Sequence, residues 1–367
     1  MLTDRLASYL RDLKGRIIGD RWLGHYHRER LTVICYHRVW PVGDPRFAGY
    51  KPTISASPEV FAQQIDYIRE RHNPISACDL ARWLDGTGTL PPRPALITFD
   101  DGYRDNADIA WPILRKRNVP AVIFLATDYI GTGRAFLWDF AAYCFANCKM
   151  TSLEIPLIGA TNLASESQRD AATIAWVEAA KLLPGALRDE AMATLAAALG
   201  VAMPGPDAFQ HLYMDWTDVR RLSQEGVEFG GHTHTHPILT RLPLDESCAE
   251  IDVSIERLTA ALGTRPRTFA YPNGSAQDFG IDHEETAKRA GISMAFSLEP
   301  GPVPLAQVRA RPMAIRRIYV GERDSLPRFI AKVNGAARLG EMLHRPNRFF
   351  AVRPSENGPG LNRGRAS

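Results

Sequence analysis

The chain has 367 residues, enough for one large α/β domain or two smaller ones, and its 45% apolar and 23% charged shares are those of a soluble globular protein. A net charge of +3 is too small to steer nucleic acid. No stretch reaches the roughly eighteen apolar residues of a membrane span. The first thirty residues place Leu2, Leu6, Leu10, Leu13 and Ile17 at helical spacing among Asp4, Arg5, Arg11, Asp12, Lys14 and Arg16. This predicts an N-terminal amphipathic helix over residues 1–30, docked on the domain or lying on a membrane surface, and not the apolar core of an export signal.

Strand and helix patterns then alternate. Leu31–Tyr36 reads as a first strand ending at His37, whose imidazole either faces a site or caps the strand. Ser57-Pro58-Glu59 opens a helix with an N-cap and a proline in its first turn, carried on by Phe61, Ile65 and Ile68. A shorter helix is expected over 77–85. The apolar run Pro94–Ile97 leads to Thr98-Phe99-Asp100-Asp101-Gly102, with a helix over 103–117 and a strand over 120–126 after it. From about 137 to 212 the chain turns alanine- and leucine-rich, which predicts a helical insertion. Cys144 and Cys148 lie there without a matching pair and read as packing residues. Alternation resumes with helix 217–225, strand 227–231, helix 244–262, strand 267–271, helix 282–290, strand 292–296, strand 314–320 and helix 325–339. Repeated strand–helix units imply a parallel sheet closed into a barrel. Residues 341–367, rich in arginine, proline and glycine, read as a disordered tail.

Two stretches carry chemistry. Asp100 and Asp101 are adjacent acids at a strand tip, where joint ionisation is costly unless a cation stands beside them. With a cation, one acid can bind it while the other moves protons. As an alternative, Asp-Asp-Gly is a common solvated turn. After the 227–231 strand comes His232-Thr233-His234-Thr235-His236-Pro237, three of the chain's ten histidines within five residues. His232 and His236 stand four apart, a spacing that lets both imidazoles converge. Two imidazoles and one carboxylate make a facial site for a divalent metal with positions left for water and substrate.

These two motifs resemble those of the polysaccharide deacetylase family, carbohydrate esterase family four. Asn118–Leu125, Asp215–Arg220 and Phe269–Gly274 are similar to further segments of that family, and the likeness covers roughly residues 31–135 and 213–335. The resemblance implies a distorted (β/α) barrel of about seven parallel strands over 31–340, interrupted by the insertion. It implies that Asp101, His232 and His236 hold a divalent metal, best matched by zinc, while Asp100 acts as base toward a metal-activated water. Backbone N–H groups of the third-motif turn at Asn273 would stabilise the oxyanion, a role worth about 3 kcal/mol per donor. The substrate class it implies is an acetylated glycan.

The chain departs from the family pattern in two places. Where the third motif often carries an arginine bracing the catalytic aspartate and an aromatic at the turn, this chain has Ala270 and Asn273. Arg317, near a late strand, is a candidate for the missing charge; its other reading is an exposed strand-end arginine. The fifth motif's leucine-x-histidine has no match after residue 236, which leaves His37 or His234 as general acid. The leading expectation is a metal-dependent N-deacetylase acting on a polysaccharide or lipid-linked glycan of the cell envelope. Hydrolysis of a non-sugar amide or acetyl ester, or non-catalytic glycan binding, are the alternatives. The absence of an export signal and the odd set of five cysteines (Cys35, Cys78, Cys144, Cys148, Cys248) predict a cytoplasmic protein with peripheral contact at the inner membrane. No sequence feature sets an oligomeric state.

Overall fold

The computed structural model describes residues 28–335 apart from 42, 45, 46, 48 and 184. Seven parallel strands close into a ring: β1 (Arg30–Tyr36), β2 (Pro94–Phe99), β3 (Ala121–Leu125), β4 (Glu228–Gly231), β5 (Thr268–Ala270), β6 (Met294–Pro300) and β7 (Ile315–Tyr319). Each pairs with the next in sequence. β1 lies in register against β2 from Thr32↔Ala95 to Tyr36↔Phe99, and β7 returns to it at Ile34↔Ile318. The expected barrel of about seven strands is therefore what the chain forms.

Burial on both faces explains why these strands read as nearly unbroken apolar runs. Leu31 and Val33 of β1, Leu96 of β2, Phe124 of β3, Phe296 of β6 and Ile315 of β7 share one cluster, which side chains from around a ring can do only by pointing inward. The alternate residues Ile34, Tyr36, Ile97, Phe99 and Ile123 pack outward against Phe61, Ile65 and Ile68 of the helix Pro58–Arg71. That helix is capped by Ser57, whose hydroxyl accepts from the Val60 N–H at 3.3 Å. Two short helices, Ala77–Leu84 and Leu305–Ala310, add Leu80, Ala81 and Val308 to the interior cluster. Val303–Pro304 pairs antiparallel with the start of β1, so this packing closes the amino end of the barrel and leaves the carboxyl end for loops.

The insertion between β3 and β4 is not wholly helical. Helices Leu137–Asn147, Glu166–Ala180 and Gly185–Ala198 are joined by an antiparallel hairpin, Ser152–Ile155 with Gly159–Asn162, which the sequence pattern had not suggested. Its apolar side chains Phe145, Trp176, Val177, Leu195 and Leu199 form a second core that also takes in Tyr103, Tyr129 and Tyr213 from the barrel's carboxyl-end loops. Polar ties reinforce the join. The buried Asp139 carboxylate accepts from Tyr103 and Tyr213 hydroxyls at 2.8 and 2.6 Å and from the Tyr50 N–H at 2.8 Å. Such a buried acid is tolerable because donors meet both of its oxygens.

Other differences are local. The expected helix over 103–117 becomes a wide π-turn at Asn106–Ala110 followed by Trp111–Arg115. Pro112 has no N–H to give, and the Trp111 N–H reaches back to Asn106 O, five residues away. The final helix is described as Leu326–Val333, short of residue 339. The amphipathic helix over 1–30, apart from residues 28–30, and the tail 341–367 lie outside the described residues. Among the described residues no helix is long and apolar enough to cross a membrane.

Candidate active site

Alternation along β2 sends Leu96, Thr98 and then Asp100 to the barrel interior, so Asp100 lies buried at the carboxyl mouth. The chain then reverses through left-handed backbone, φ +76° at Asp101 and +81° at Gly102. The left-handed turn favours glycine at 102, and a Cβ there would also stand 2.7 Å from Leu125 Cδ2 and push that side chain aside. Asp101 thus turns its carboxylate over the same mouth and is 1% exposed.

The histidines arrive from β4. A Cβ on Gly230 would fall 2.4 Å from Thr268 Oγ1 and 2.6 Å from the Phe124 ring, so only glycine lets β4 lie this close to its neighbours. The His232 N–H continues the ladder to Leu125 O at 3.0 Å. Its Nδ1 stands 2.7 Å from Ala270 O, an acceptor only, so Nδ1 carries the proton and Nε2 keeps a lone pair. Thr233 and His236 adopt φ of +64° and +59°. Glu250, on the helix Leu244–Leu262, holds this tight loop: Oε2 accepts from the His234 and Thr235 N–H groups at 2.8 and 2.7 Å, and Oε1 accepts from the Thr235 hydroxyl at 2.7 Å.

Asp101, His232 and His236 therefore converge. His236 Nε2 is 3.4 Å from Asp101 Oδ1, His232 Nε2 is 3.6 Å from it, and the two Nε2 atoms are 3.2 Å apart. Donors bonded to one tetrahedral ion at ordinary lengths stand about 3.3–3.6 Å apart. Asp101 Oδ1 is buried with no hydrogen-bond partner, an orphan that a cation would satisfy. Burial, and after it the Asp100 charge, push the Asp101 carboxyl well above its ordinary value, while burial pushes both imidazoles down. A positive ion among them relieves each of these penalties. The three residues fit a divalent metal.

Asp100 stands beside this set with a different partner. Arg317, 1% exposed, points inward from β7 and clamps it two-fold, Nη1 to Oδ1 at 2.6 Å and Nη2 to Oδ2 at 2.8 Å. The exposed reading of this arginine is not what the structure shows. Its Nε donates to Ser297 O at 3.1 Å, and the buried Cys35 thiol lies 3.4 Å from Asp100 Oδ2. Burial alone would raise the Asp100 carboxyl, but the Arg317 charge and hydrogen bonds outweigh it and hold the group well below the ordinary carboxylate range.

The remaining candidates separate. His37 Nε2 is 3.9 Å from Asp101 Oδ2, so His37 faces the mouth, and burial lowers its pKa to about 4. His234 points elsewhere, with Nδ1 3.0 Å from Thr127 Oγ1 and Nε2 3.6 Å from Asp128 Oδ1. Asn273 sits at φ +61°, its side chain bound to Asp278 at 2.8 Å, and its N–H makes no hydrogen bond within the described residues. It lines a cleft of about 760 Å³ that runs from His236 to the insertion. Phe136 and Trp138, from the insertion's start, stack on each other at 4.5 Å and meet the His236 ring nearly at right angles, 5.4 and 5.1 Å away. Sequence reasoning missed these two, Cys35 and Glu250. Only Trp138, an aromatic at the head of a helix rich in aromatics, carried any local signal.

Comparison with known proteins agrees with this architecture. The family model described as "Polysaccharide deacetylase" matches residues 87–295. A poly-β-1,6-N-acetyl-D-glucosamine N-deacetylase of Staphylococcus epidermidis is 28% identical over 114 residues, 29% of this chain and 39% of that protein. The chain spans less than half the length of the curated relatives it matches. Among solved structures, the Streptococcus pyogenes deacetylase PplD in complex with acetate superposes with a TM-score of 0.53 at 16% identity, and IcaB from Ammonifex degensii with 0.53 at 20%. Each covers 83% of this chain and 97% of the other. At these identities the likeness speaks for the fold.

Proposed function

Because the chain belongs to the polysaccharide deacetylase family, we propose that it is a metal-dependent hydrolase removing N-acetyl groups from amino sugars of a polysaccharide or lipid-linked glycan. One observation carries the reading: Asp101, His232 and His236 bring three ligand atoms within 4.8 Å of one another, and Asp100 is clamped next to them. Asp101, His232 and His236 would hold the metal, and two imidazoles with one carboxylate suit zinc. A divalent ion there supplies an acidified water and polarises the amide carbonyl.

The other steps fall to the chain's own groups. Asp100, kept anionic by Arg317 and able only to accept, takes the proton of the attacking water. Arg317 fixes the direction of its lone pairs. The unengaged Asn273 N–H donates to the developing oxyanion from the rim of the same cleft. His37 rests neutral, since its pKa is lowered to about 4 by burial. Negative charge developing on the tetrahedral oxygen raises the basicity of the imidazole, so that it takes up the proton Asp100 removed from the water and passes it to the leaving nitrogen. His37 is preferred to His234, whose ring nitrogens are engaged by Thr127 and Asp128.

The test is acetate release from a panel of N-acetylated oligosaccharides, small amides and acetyl esters, with and without chelator. Release from the sugars alone, abolished by chelation and restored by zinc, is expected. Turnover confined to small amides or esters would move the substrate class, and glycan binding without any turnover would leave a binding protein.

A further inference from the structure

The insertion side of the cleft has a chemistry that hydrolysis of the acetamido group does not use. Lys181, Gly185 and Arg188 line it together with His236. Arg188 is held by main-chain oxygens, Nε to Leu183 O at 3.0 Å and Nη2 to Lys181 O at 3.4 Å. Asp189 and Glu246 line the same cleft, yet neither forms an ion pair with it. Burial depresses the Arg188 pKa, with Tyr129 and Asp189 offsetting it only in part and the like charge of Arg241 adding to it, and no acid among the described residues is within ion-pair distance of the guanidinium. Lys181, paired with Glu178 at 2.7 Å, lines the same cleft as His236.

An apolar rim accompanies these cations. Leu182 is 62% exposed, Leu187 48%, Met203 59% and Leu244 52%, four of the nine large apolar side chains exposed among the described residues. Met203 lines the cleft itself. Leu182 and Leu187 are chain neighbours of Lys181 and Arg188, and Leu244 lies two residues beyond Leu242, whose side chain comes within 3.9 Å of the Cβ position of Gly185. A partly buried cation without an ion pair and exposed apolar side chains on adjoining residues are each unfavourable in water. A neutral sugar polymer would relieve neither. An amphiphile with an anionic head relieves both.

We propose that this flank of the cleft is a subsite for a glycan linked through phosphate to a lipid, with Arg188 and Lys181 taking the phosphate oxygens and Leu182, Leu187, Met203 and Leu244 covering the first carbons of the lipid chain. The inference rests on the N-deacetylase reading and narrows its substrate class. Arg188 supplies the direct hydrogen bonds, because its guanidinium can present two donors to one phosphate. Lys181 adds a second positive charge on the same flank of the cleft.

The experiment compares three substrates bearing the same N-acetylated sugar: the free oligosaccharide, its glycosyl phosphate, and that phosphate esterified to a lipid, all in the same non-ionic detergent. Wild-type kcat/KM is expected to be at least about tenfold higher for the lipid-phosphate form than for the free oligosaccharide, the worth of one hydrogen bond to a charged group. Arg188→Gln should cut the ratio of phosphate-bearing to free substrate about tenfold, and Leu187→Ser should lower only the ratio of lipid-bearing to lipid-free phosphate. Equal kcat/KM for the three substrates would overturn the proposal. So would an Arg188→Gln protein that loses activity equally on all of them, which is what a structural role predicts. A glycosyl phosphate as good as its lipid ester would remove the lipid. Equilibrium binding of the same three compounds decides independently of turnover: absence of hydrolysis with all three would strike the deacetylase reading, while the order of their Kd values would still support or overturn the subsite.

Discussion

The two walls of the cleft are built to opposite standards. On the barrel wall Asp100, Asp101 and His232 are buried, and several of the candidate groups are fixed by specific partners. Asp100 takes two bonds from Arg317, His232 gives its Nδ1 proton to Ala270, and Glu250 secures the loop between the histidines. Of the seven non-glycine residues with positive φ among the described residues, four, Asp101, Thr233, His236 and Asn273, lie on this wall. Strained backbone of this kind persists only where its surroundings over-determine it. On the insertion wall, Arg188 rests on carbonyls with no acid paired to it, and leucines stand in water. The difference separates two tasks. Chemistry requires fixed atoms, while recognition of a ligand leaves groups unsatisfied until the ligand arrives.

The largest effects should follow from cutting the barrel wall. Asp100→Asn is expected to lower turnover by about 10²–10⁴-fold, the usual worth of a general base, with metal content unchanged. Loss of metal in that variant would mean that the two aspartates have exchanged roles. His236→Ala should lose metal and activity together, and full metal occupancy would remove it from the ligand set. Next comes Arg317→Met, which leaves the Asp100 carboxylate buried without its counter-ion. Denaturant unfolding should show a loss of about 3–5 kcal/mol. Arg188→Met, the matching deletion on the insertion wall, strands no buried acid and should change stability by less than about 1 kcal/mol. Similar losses from both would erase the contrast between the walls.

The same contrast decides how much could be read from the sequence. The barrel strands were legible because parallel strands buried on both faces leave runs such as Leu31–Tyr36. Asp100, Asp101, His232 and His236 were legible because their chemistry is compressed into short stretches at strand ends. Arg317 was visible only as a candidate charge. What defines its role is a pairing with Asp100 across 217 positions of chain, and no local pattern records that. Glu250 was invisible for the same reason, being one acid among several on an amphipathic helix. The hairpin Ser152–Asn162 escaped because Ser-Leu-Glu-Ile and Gly-Ala-Thr-Asn offer little β-branched or aromatic alternation. Leu153 and Ile155 hold it by packing on the insertion's core, a tertiary effect.

Glu250→Gln probes the barrel wall one step back from the candidate metal site. An amide keeps one acceptor oxygen, so it can still receive the two main-chain N–H groups that share Oε2, but its NH₂ then faces the Thr235 hydroxyl in place of the second oxygen. The loop should loosen without opening the fold. Partners behind metal ligands commonly account for 10–100-fold in affinity, and a zinc Kd weakened by about that factor is expected, measured by competition with a chromogenic chelator. An unchanged Kd would show that the strained backbone at Thr233 and His236 holds itself.

The smallest effect should come from the insertion rim. Leu187→Ser removes an apolar side chain that is already 48% exposed, so little buried area is lost and helix propensity falls only slightly. Unfolding free energy should stay within about 0.5 kcal/mol of wild type. A loss of 2 kcal/mol or more would mean that Leu187 is covered in solution, by another copy of the chain or by one of its own terminal segments. The rim would then be an internal contact, and the insertion wall would have to be regarded as finished in the way the barrel wall is.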